Sequence, residues 1–421
     1  MKQTEIGLIP DDWEVKSLGK ILTIKHGYGF EGDFFSSEDN GFIVVTPGNF
    51  KLNGGFQKPQ ASVFYVGKYP KEFNLKPNDL IIMMTDLSKE SDTLGNPAII
   101  PNDNYQYLHN QRIGLINCNS DDFDKNYLFH LLCLKDYHKA VVSTAAGSTV
   151  KHTSPKRIYS INLPITPILH EQQRIAKALS DVDALISTTE KLIQKKKNIK
   201  QGTMQELLTG KKRLPGFTKS NNTKMTELGE IPEDWEVKRF YELFDICTET
   251  IFVDSIKKES YIGTENMLQD KMGIIKNETA LNYLKVREYR KQDILVSNIR
   301  PYLKKIWFAD NNGGCSTDVL VFRKKRNFDN AEFLFKIVSD ERFFNIVNDN
   351  AVGTKMPRGD KNIIKYVLFA IPTTKEEQTA IANVLSSMDK EIETLNTKLE
   401  KYRNLKTAMM QQLLTGKIRL K

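Results

Sequence analysis

The chain has 421 residues, of which 40% are hydrophobic and 27% are charged, a balance typical of a folded globular protein and not of a disordered or fibrous one. Its formal net charge of +9 favours an anionic partner, and nucleic acid is the first candidate. No apolar run approaches the ~18 residues of a membrane span, so we expect no association with a membrane.

The N-terminal residues lack the apolar core and the cleavage pattern of a signal peptide, so we expect a cytoplasmic protein. The four cysteines, Cys118, Cys133, Cys247 and Cys315, are scattered and show no CxxC spacing. This pattern predicts reduced thiols and favours neither a disulfide framework nor a zinc site.

The opening segment of the chain occurs twice. Residues 4–16 return almost unchanged as residues 226–238, and both copies contain the sequence Ile-Pro-x-x-Trp-x-Val around Trp13 and Trp235. The ends of the two copies match closely, whereas their middle parts differ in length and sequence. Self-similarity of this kind predicts two copies of one structural unit with a variable middle.

The middle of each copy predicts a mixed α/β domain. Short apolar runs bounded by Gly, Asn and Pro are typical of strands, and here they are residues 41–45, 79–84, 293–296 and 318–322. A predicted helix follows in each copy, at residues 125–142 and 331–347, and a Gly-containing loop comes next, at residues 146–149 and 352–355. The two copies therefore share one order of elements.

Each copy ends in a long predicted helix, residues 171–208 and 377–414. Apolar residues recur there with alternating spacings of three and four, the heptad pattern of helices that wind around a partner. The predicted coiled-coil positions are Ile175, Leu179, Val182, Ile186, Ile193, Ile381, Leu385, Met388, Ile392, Leu395 and Leu399. Leu185, Leu192 and Ile199 are expected to widen this seam. At ~1.5 Å per residue, a helix of roughly 36 residues is about 54 Å long.

The order of the chain predicts how the two helices pair. The first helix leaves the first domain and ends where the second domain begins, and the second helix leaves the second domain. The simplest pairing is therefore antiparallel, with the two domains at opposite ends and related by an approximate twofold axis.

On this basis we predict an α+β fold class. Two mixed α/β domains, residues 1–166 and 226–371, are separated by a pair of long antiparallel coiled-coil helices, residues 167–209 and 372–416, in a pseudo-twofold internal repeat. Residues 210–225, which are rich in Lys, Gly, Pro and Asn, are predicted to be the linker between the two copies.

Three segments superficially match catalytic or ligand-binding motifs. Residues 27–32 match GxGxxG, but the sequence after them is a poor helix, and a dinucleotide site requires a helix there. Residues 10–16 contain the parts of a PD-ExK nuclease, but their carboxylates are crowded into one segment. After His170, the second His of a HExxH zinc site is replaced by Arg174. We therefore predict no catalytic residue, no metal site and no cofactor.

The remaining candidates are side chains suited to contact DNA. Arg, Asn and Gln can form bidentate hydrogen bonds with base edges, whereas Lys and Ser mostly contact phosphate. In the first domain the candidates are Lys25, His26, Lys51, Lys58, Asn110, Gln111, Arg112, Ser148, Thr149, Lys151 and His152. In the second domain they are Arg290, Asn298, Arg300, Tyr302, Lys304, Lys305, Thr317, Lys355 and Arg358.

Along its whole length, the sequence resembles the specificity (S) subunit of type I restriction-modification systems. The resemblance rests on the duplicated Ile-Pro-x-x-Trp-x-Val segment, on the Glu-Gln pairs that open the long helices at Glu171 and Glu377, and on the Leu-Leu-Thr-Gly-Lys sequences that end them at Lys211 and Lys417. Residues 293–301 also look like a segment of this family.

The resemblance implies a DNA-recognition subunit that is not itself an enzyme. Each domain would be a target recognition domain for one half of a bipartite, asymmetric site in double-stranded DNA, and the helix pair would fix the spacer between the halves. Two methyltransferase (M) subunits, which bind S-adenosylmethionine, and restriction (R) subunits would carry out methylation and cleavage. The sequence contains neither an NPPY-type tetrapeptide nor a Walker loop, in agreement with this division.

Two other classes of function stay open at this level. One is a stand-alone DNA methyltransferase or nuclease, which methyl transfer by the purified chain alone would favour. The other is a coiled-coil scaffold whose mixed domains bind protein, which a salt-independent protein partner without any DNA affinity would favour.

Overall fold

The computed structural model describes residues 1–59, 61–88, 90–120, 122–218, 222–279, 283–326, 328 and 330–421. Part of the predicted linker, residues 219–221, lies outside the described residues. The chain divides into two compact units: unit 1 consists of Met1–Glu190 with Thr397–Lys421, and unit 2 of Lys191–Asn396. Each unit therefore contains part of both long helices.

Unit 1 is built mainly of short strands. They are β1 (Lys2–Thr4), β2 (Gly7–Ile9), β3 (Glu14–Ser17), β4 (Leu22–His26), β5 (Phe35–Ser36), β6 (Phe42–Val44), β7 (Phe64–Tyr65), β8 (Asn74–Leu75), β9 (Leu80–Met83), β10 (Thr85–Asp86), β11 (Pro97–Ile99), β12 (Gln106–Leu108), β13 (Ile113–Cys118), β14 (Lys151–His152) and β15 (Asn162–Ile165). The largest sheets have the strand orders β5-β7-β6-β12-β8 and β11-β9-β13-β4, and β10 pairs with β14.

The helices of unit 1 are α1 (Leu18–Ile21), α2 (Lys125–Leu131), α3 (Lys135–Ser143), α4 (Pro155–Tyr159) and the first half of α5 (Leu169–Leu207). The prediction of a single helix at residues 125–142 is thus wrong, because Leu134 takes an extended conformation (φ −65°, ψ 138°) and separates α2 from α3. The side chain of Asp124 caps α2 by accepting a hydrogen bond from the amide of Tyr127 at 2.8 Å.

Unit 2 repeats this order of elements. Its strands are β16 (Thr223–Thr226), β17 (Gly229–Pro232), β18 (Trp235–Arg239), β19 (Phe244–Cys247), β20 (Thr250–Phe252), β21 (Tyr261–Ile262), β22 (Lys285–Tyr289), β23 (Ile294–Ser297), β24 (Ile306–Phe308), β25 (Gly313–Cys315), β26 (Val319–Lys324) and β27 (Leu368–Pro372). They form two four-stranded sheets, β19-β26-β23-β24 and β20-β22-β25-β21, besides the pairs β16-β17 and β18-β27.

The helices of unit 2 are α6 (Phe240–Leu243), α7 (Ala331–Val338), α8 (Glu341–Asp349), α9 (Lys361–Ile364) and the first part of α10 (Lys375–Leu413). The helix predicted at residues 331–347 is also split in two. Asp340, whose carboxylate accepts from the amide of Arg342 at 3.0 Å, begins the second helix as its N-cap.

In both units one strand is buried on its two faces, which explains why its sequence is a continuous apolar run. In β9, Leu80 and Ile82 belong to one hydrophobic core, and Ile81 and Met83 belong to another. Strand β23 divides its residues between two cores of unit 2 in the same alternating way. Because successive side chains of a strand point to opposite faces, this strand joins the two cores of each unit.

The long helices run antiparallel within each unit. In unit 1, Lys406 of α10 contacts Asp183 of α5 at 2.6 Å. In unit 2, Lys196 of α5 contacts Glu391 of α10 at 2.7 Å. Lys406, which interrupts the apolar seam in the sequence, is therefore held by an ion pair. The predicted α+β class, with two repeated α/β domains and a pair of long antiparallel helices, is confirmed.

The predicted coiled-coil positions differ in burial. Seven are buried, namely Ile175, Leu179, Val182, Ile193, Ile381, Leu385 and Leu399. Four are half-buried, namely Ile186, Met388, Ile392 and Leu395. Leu185, Leu192 and Ile199 are exposed, so the expectation that they widen the seam is wrong. When two helices pair, only one stripe of residues on each helix is covered by the partner helix. The positions beside this stripe stay exposed to solvent.

Candidate DNA interface

Two loops of unit 2 that carry predicted DNA-binding residues lie side by side. The first, residues 298–304, follows β23, and the second, residues 352–358, follows α8. Ile299 and Arg358 form a β-bridge, the amide of Arg300 donates to the carbonyl of Pro357 at 2.8 Å, and the amide of Gly359 donates to the carbonyl of Asn298 at 3.2 Å. These contacts bring Asn298 and Arg300 next to Arg358.

The first of these loops has an unusual backbone. Arg300 and Lys304 both adopt left-handed conformations, with φ of 51° and 49°, on either side of the 3-10 turn Pro301–Leu303. Non-glycine residues rarely adopt positive φ, and such strain concentrates at binding sites, where neighbouring structure holds it. The hydrogen bond from Arg300 to the second loop is one of the contacts that hold it here.

Several residues of unit 2 that the sequence predicts to bind DNA have side chains exposed to solvent. Arg300, Tyr302, Thr317 and Lys355 are exposed. Arg358 is also exposed, and its guanidinium contacts Asp318 at 2.9 Å. A carboxylate at this position fixes the direction of Arg358 without burying it. Sequence reasoning did not find this role of Asp318, because nothing in its immediate sequence separates it from an ordinary surface acid.

Three other predicted cations of unit 2 have protein partners. Lys304 and Lys271 both contact the carboxylate of Glu341, the latter at 2.7 Å. Burial raises the pKa of Glu341, but the hydrogen bonds from these two lysines outweigh it and hold this pKa below its usual range. Lys305 donates to the carbonyl of Thr264 at 2.8 Å. Arg290 contacts Glu288 at 3.0 Å and Glu249 at 3.3 Å.

Two loops of unit 1 that carry predicted DNA-binding residues, residues 110–112 and 146–152, lie close to Met84. The amide of Met84 donates to the carbonyl of Arg112 at 2.9 Å, and the amide of Thr153 donates to the carbonyl of Met84 at 3.0 Å. Within the β10–β14 pair, the hydroxyl of Thr85 lies 3.0 Å from Nδ1 of His152. The structure thus brings Asn110, Gln111 and Arg112 close to the loop that contains Ser148, Thr149, Lys151 and His152.

The end of β4 lies beside the first of these loops. Tyr28 and Asn110 form a β-bridge, and the amide of Gln111 donates to the carbonyl of Tyr28 at 2.9 Å. A Cβ atom on Gly27 would lie 2.2 Å from the carbonyl oxygen of Asn110, so only glycine permits this close approach. The first glycine of the GxGxxG match therefore has a packing role. Lys25 and His26, which are exposed, precede this contact.

Two predicted residues of unit 1 belong to a different part of the domain. Lys58 contacts Asp103 at 2.8 Å and lies over the ring of Tyr105, 4.0 Å from its centroid. Lys51 is exposed and lies in a turn, where its amide donates to the carbonyl of Gly55 at 3.0 Å.

The Gly-containing loops of the two units share one conformation. A β-bridge between Ala146 and His152 closes the loop in unit 1, and a β-bridge between Val352 and Arg358 closes the loop in unit 2. Gly147 and Gly353 both have a φ of +102°. In unit 1, a Cβ atom on the glycine would lie 2.0 Å from the carbonyl oxygen of Val150. In unit 2 the corresponding distance, from a Cβ atom on Gly353 to the carbonyl oxygen of Met356, is 3.5 Å. The closing bridge and the glycine conformation are therefore repeated, whereas the side chains on the loop differ.

Unpaired polar atoms lie next to the loops in both units. Within the described part of the chain, Oδ1 of Asn298 and Oγ1 of Thr153 are buried without a hydrogen-bond partner. Because buried polar atoms are nearly always paired, orphaned ones mark strained or functional positions. In unit 2 this atom lies where the two loops meet, and in unit 1 it lies directly after the Gly-containing loop.

The described residues include no group of three or more His, Cys, Asp or Glu side chains that could hold a metal ion. Among the same residues, no helix combines the length and the apolar character needed to cross a membrane. Burial lowers the pKa of His109, beside the loop at 110–112, to about 4, so its imidazole is neutral at pH 7.

Comparison with known sequences supports the repeat. The family described as the type I restriction modification DNA specificity domain matches twice, at residues 10–201 and 232–401. The MjaVIII type I restriction enzyme specificity subunit of Methanocaldococcus jannaschii is 28% identical over 98% of this chain and 94% of its own length. The putative MjaX type I restriction enzyme specificity subunit of the same organism is 28% identical over 100% of this chain and 97% of its own length.

Solved structures share the fold. An S subunit of a type I restriction-modification system from M. genitalium aligns with a TM-score of 0.58 and 14% identity over 98% of both chains. A chain from a type I R-M system aligns with a TM-score of 0.51 over 98% of this chain and 100% of that one. Since the two family matches together cover most of the sequence, the chain belongs to the family of type I restriction-modification DNA specificity proteins, and its role is DNA recognition.

Proposed function

We propose that this protein is the specificity subunit of a type I restriction-modification complex and reads a bipartite, asymmetric site in double-stranded DNA. Residues 1–166 and 226–371 are the two target recognition domains, and each reads one half-site. The long helices, residues 167–209 and 372–416, fix the spacer, and residues 210–225 link the two copies. Two methyltransferase subunits and restriction subunits supply the catalysis.

One observation carries this proposal: two loops are closed in the same way, have the same glycine conformation and carry different side chains. Residues 146–152 read Ala-Gly-Ser-Thr-Val-Lys-His, and residues 352–358 read Val-Gly-Thr-Lys-Met-Pro-Arg. Both are closed by a β-bridge, and both have a glycine with a φ of +102°. Closing the loop in the same way in both units holds it in a fixed place. Different side chains at its surface then select different base edges. Two unlike half-sites are the expected target.

A role in recognition leaves methylation and cleavage to the other subunits of the complex. Family membership does not favour a stand-alone methyltransferase, a nuclease or a protein-binding scaffold. We propose that the chain itself is not catalytic and binds no S-adenosylmethionine. Incubation of the purified chain with S-adenosylmethionine and DNA should produce no methyl transfer until methyltransferase subunits are added. We also keep the expectation of a cytoplasmic location, where the DNA substrate lies.

The half-site assignment is tested by one substitution in each domain. We expect Arg300→Ala to weaken binding to duplexes through one half-site and His152→Ala to do so through the other, each by ~1–3 kcal/mol if the side chain contacts a base edge. The readout is the affinity of the assembled complex for duplexes with single base changes in each half. Lys355→Ala is the control, because loss of a phosphate contact lowers affinity uniformly across sequences. Loss of the same half-site by both variants would contradict the proposal.

A further inference from the structure

Two exposed apolar side chains lie on the loop at residues 352–358 in unit 2. Val352 is 68% exposed and Met356 is 50% exposed. They flank the exposed Lys355, and the exposed Arg358 ends the loop. Single exposed apolar residues are common on protein surfaces and do not by themselves indicate a binding site. The rigidity of this loop and the charges around it are the further observations that indicate what these two side chains contact.

The loop is held at both of its ends. The amide of Val352 donates to the carbonyl of Arg358 at 2.8 Å, and the amide of Arg358 donates back at 2.9 Å. Pro357 restricts the chain between them and accepts the hydrogen bond from the amide of Arg300. Met356 is therefore presented by a short loop that a β-bridge closes and whose conformation is already set, which lowers the entropic cost of binding.

The surroundings of the loop fit a nucleic acid better than a protein. Arg300, Lys355 and Arg358 place three cations on this face of unit 2. An aromatic side chain, Tyr302, is 51% exposed on the adjoining loop. Cations with interleaved apolar and aromatic groups complement the phosphates and the base edges of DNA.

The geometry points to one kind of base. The major groove is wide enough to admit an α-helix or a β-ribbon and so has room for this short loop, and the apolar group that the base edges present there is the C5-methyl of thymine. We propose that Met356, with Val352 beside it, packs on the 5-methyl group of a thymine in the half-site read by unit 2. This inference rests on the proposed function, because it requires that the loop enters DNA.

Unit 1 supplies an internal comparison. The equivalent loop has Ala146 in place of Val352 and Val150 in place of Met356. Ala146 is exposed but small, and Val150 is half-buried. The apolar contact is therefore a property of the second domain, and it contributes to the difference between the two half-sites.

Deoxyuridine tests the contact, because it differs from thymidine only by the 5-methyl group. The full chain, assembled with the methyltransferase subunits of its system, is titrated with duplexes that carry its mapped methylation motif. Each thymine of the half-site that Arg300→Ala affects is replaced in turn by deoxyuridine. At one position, wild type should bind about fourfold more weakly, as expected for one buried methyl group. Met356→Ala should bind the thymine duplex about fourfold more weakly and lose nothing further with deoxyuridine.

Two variants serve as controls. Met225→Ala removes a 78% exposed methionine on the β16–β17 hairpin of the same unit and should behave as wild type. Lys355→Ala should weaken binding to thymine and deoxyuridine duplexes equally.

The inference is overturned if the half-site contains no thymine, or if deoxyuridine weakens Met356→Ala as much as wild type at every position. Equal weakening on both duplexes together with reduced DNA bending would identify a wedge between base steps and would also overturn it. The proposed function fails separately, if the wild-type complex does not distinguish its motif from a scrambled duplex.

Discussion

At the scale of single residues, an arginine that follows a long helix forms ion pairs that join separate segments of each unit. In unit 1, Arg419 contacts Asp12 at 2.6 Å and Glu171 at 2.8 Å, and its guanidinium lies 5.6 Å from the centroid of the Trp13 ring. The indole of Trp13 also donates to Glu171, which is buried. One cation thereby joins the opening segment of the repeat to the first turn of α5.

Unit 2 repeats this cluster with Arg213. Its guanidinium contacts Asp234 at 2.8 Å and Glu377 at 2.7 Å, and it lies 5.6 Å from the ring centroid of Trp235. The duplicated Trp and Glu are visible in the sequence. Each arginine lies six residues after the last residue of its helix, Leu207 or Leu413, so the repeat already places them at equivalent positions. Their shared role is apparent only from the contacts.

We expect Arg419→Ala to destabilise unit 1, and Arg213→Ala to destabilise unit 2, by about 3–5 kcal/mol, because each change leaves a buried carboxylate without its cation. Hydrogen exchange followed by mass spectrometry would locate the loss. Arg403→Ala is the control: its side chain is 49% exposed and pairs with Glu190, and surface pairs contribute ~0–1 kcal/mol. A loss of protection spread equally over both units would contradict the prediction.

Acid should remove the same stabilisation. The hydrogen bond from Arg419 holds the pKa of Asp12 well below its usual range. Burial raises the pKa of Glu171, but hydrogen bonds from Arg419 and Thr166 outweigh it and lower this pKa. A depressed folded pKa gives stability that is complete above the unfolded value of about 4 and is lost as the pH falls through the folded pKa. Acid should therefore destabilise unit 1 less in the Arg419→Ala variant than in the wild-type protein.

At the scale of elements, the heptad pattern predicted the long helices, and the order of the chain predicted their antiparallel pairing. Both are 39 residues long, and both begin near a buried glutamine. The amide group of Gln172 donates to the carbonyl of Thr166 at 3.0 Å, and that of Gln378 donates to the carbonyl of Pro372 at 2.9 Å. The Glu-Gln pair seen in the sequence thus ties each helix to the strand before it.

The spacer role of these helices gives a quantitative prediction. Removing seven residues from each helix, residues 189–195 and 395–401, keeps the heptad phase and shortens each by about 10.5 Å. At ~3.4 Å per base pair, the recognised spacer should shorten by about three base pairs. Mapping methylated adenines in cells would measure the spacer length. Both half-sites should keep their sequences.

Removing seven residues from α5 alone is the matched control. It leaves the two helices unequal in length, so we expect loss of methylation instead of a new spacer. A spacer of unchanged length after the paired deletion would show that the helices do not set it.

At the scale of the whole molecule, unit 1 is assembled from both ends of the chain. Leu413, the last residue of α10, and Leu414 after it belong to the same core as Trp13, Ile175 and Leu179. In unit 2, by contrast, the corresponding core is formed by Met204, Leu207 and Leu208 together with Trp235. The last residues of the chain are therefore part of the folding unit that contains the first residues.

Deleting residues 397–421 should unfold or loosen unit 1 and leave the core of unit 2 intact. The deletion removes Arg419 and three buried leucines, Leu399, Leu413 and Leu414, and the loss of a single buried leucine already costs ~2–5 kcal/mol. Amide exchange should then accelerate in residues 1–190 and stay slow in β23 and β26. Removal of Lys421 alone, which is exposed, serves as the control. Unchanged protection of residues 1–190 in the deletion variant would contradict the division into units.

The sequence by itself determined the repeat, the α+β class, the paired long helices and the family, because apolar periodicity and duplicated segments are local properties of a chain. Only the tertiary structure decided which candidate cations remain free: Arg300 and Lys355 are exposed, whereas Lys304, Lys305 and Arg290 have protein partners. It also split the helices at residues 134 and 340 and joined the loops at residues 298–304 and 352–358. These outcomes depend on contacts between residues distant in sequence, which no local pattern encodes.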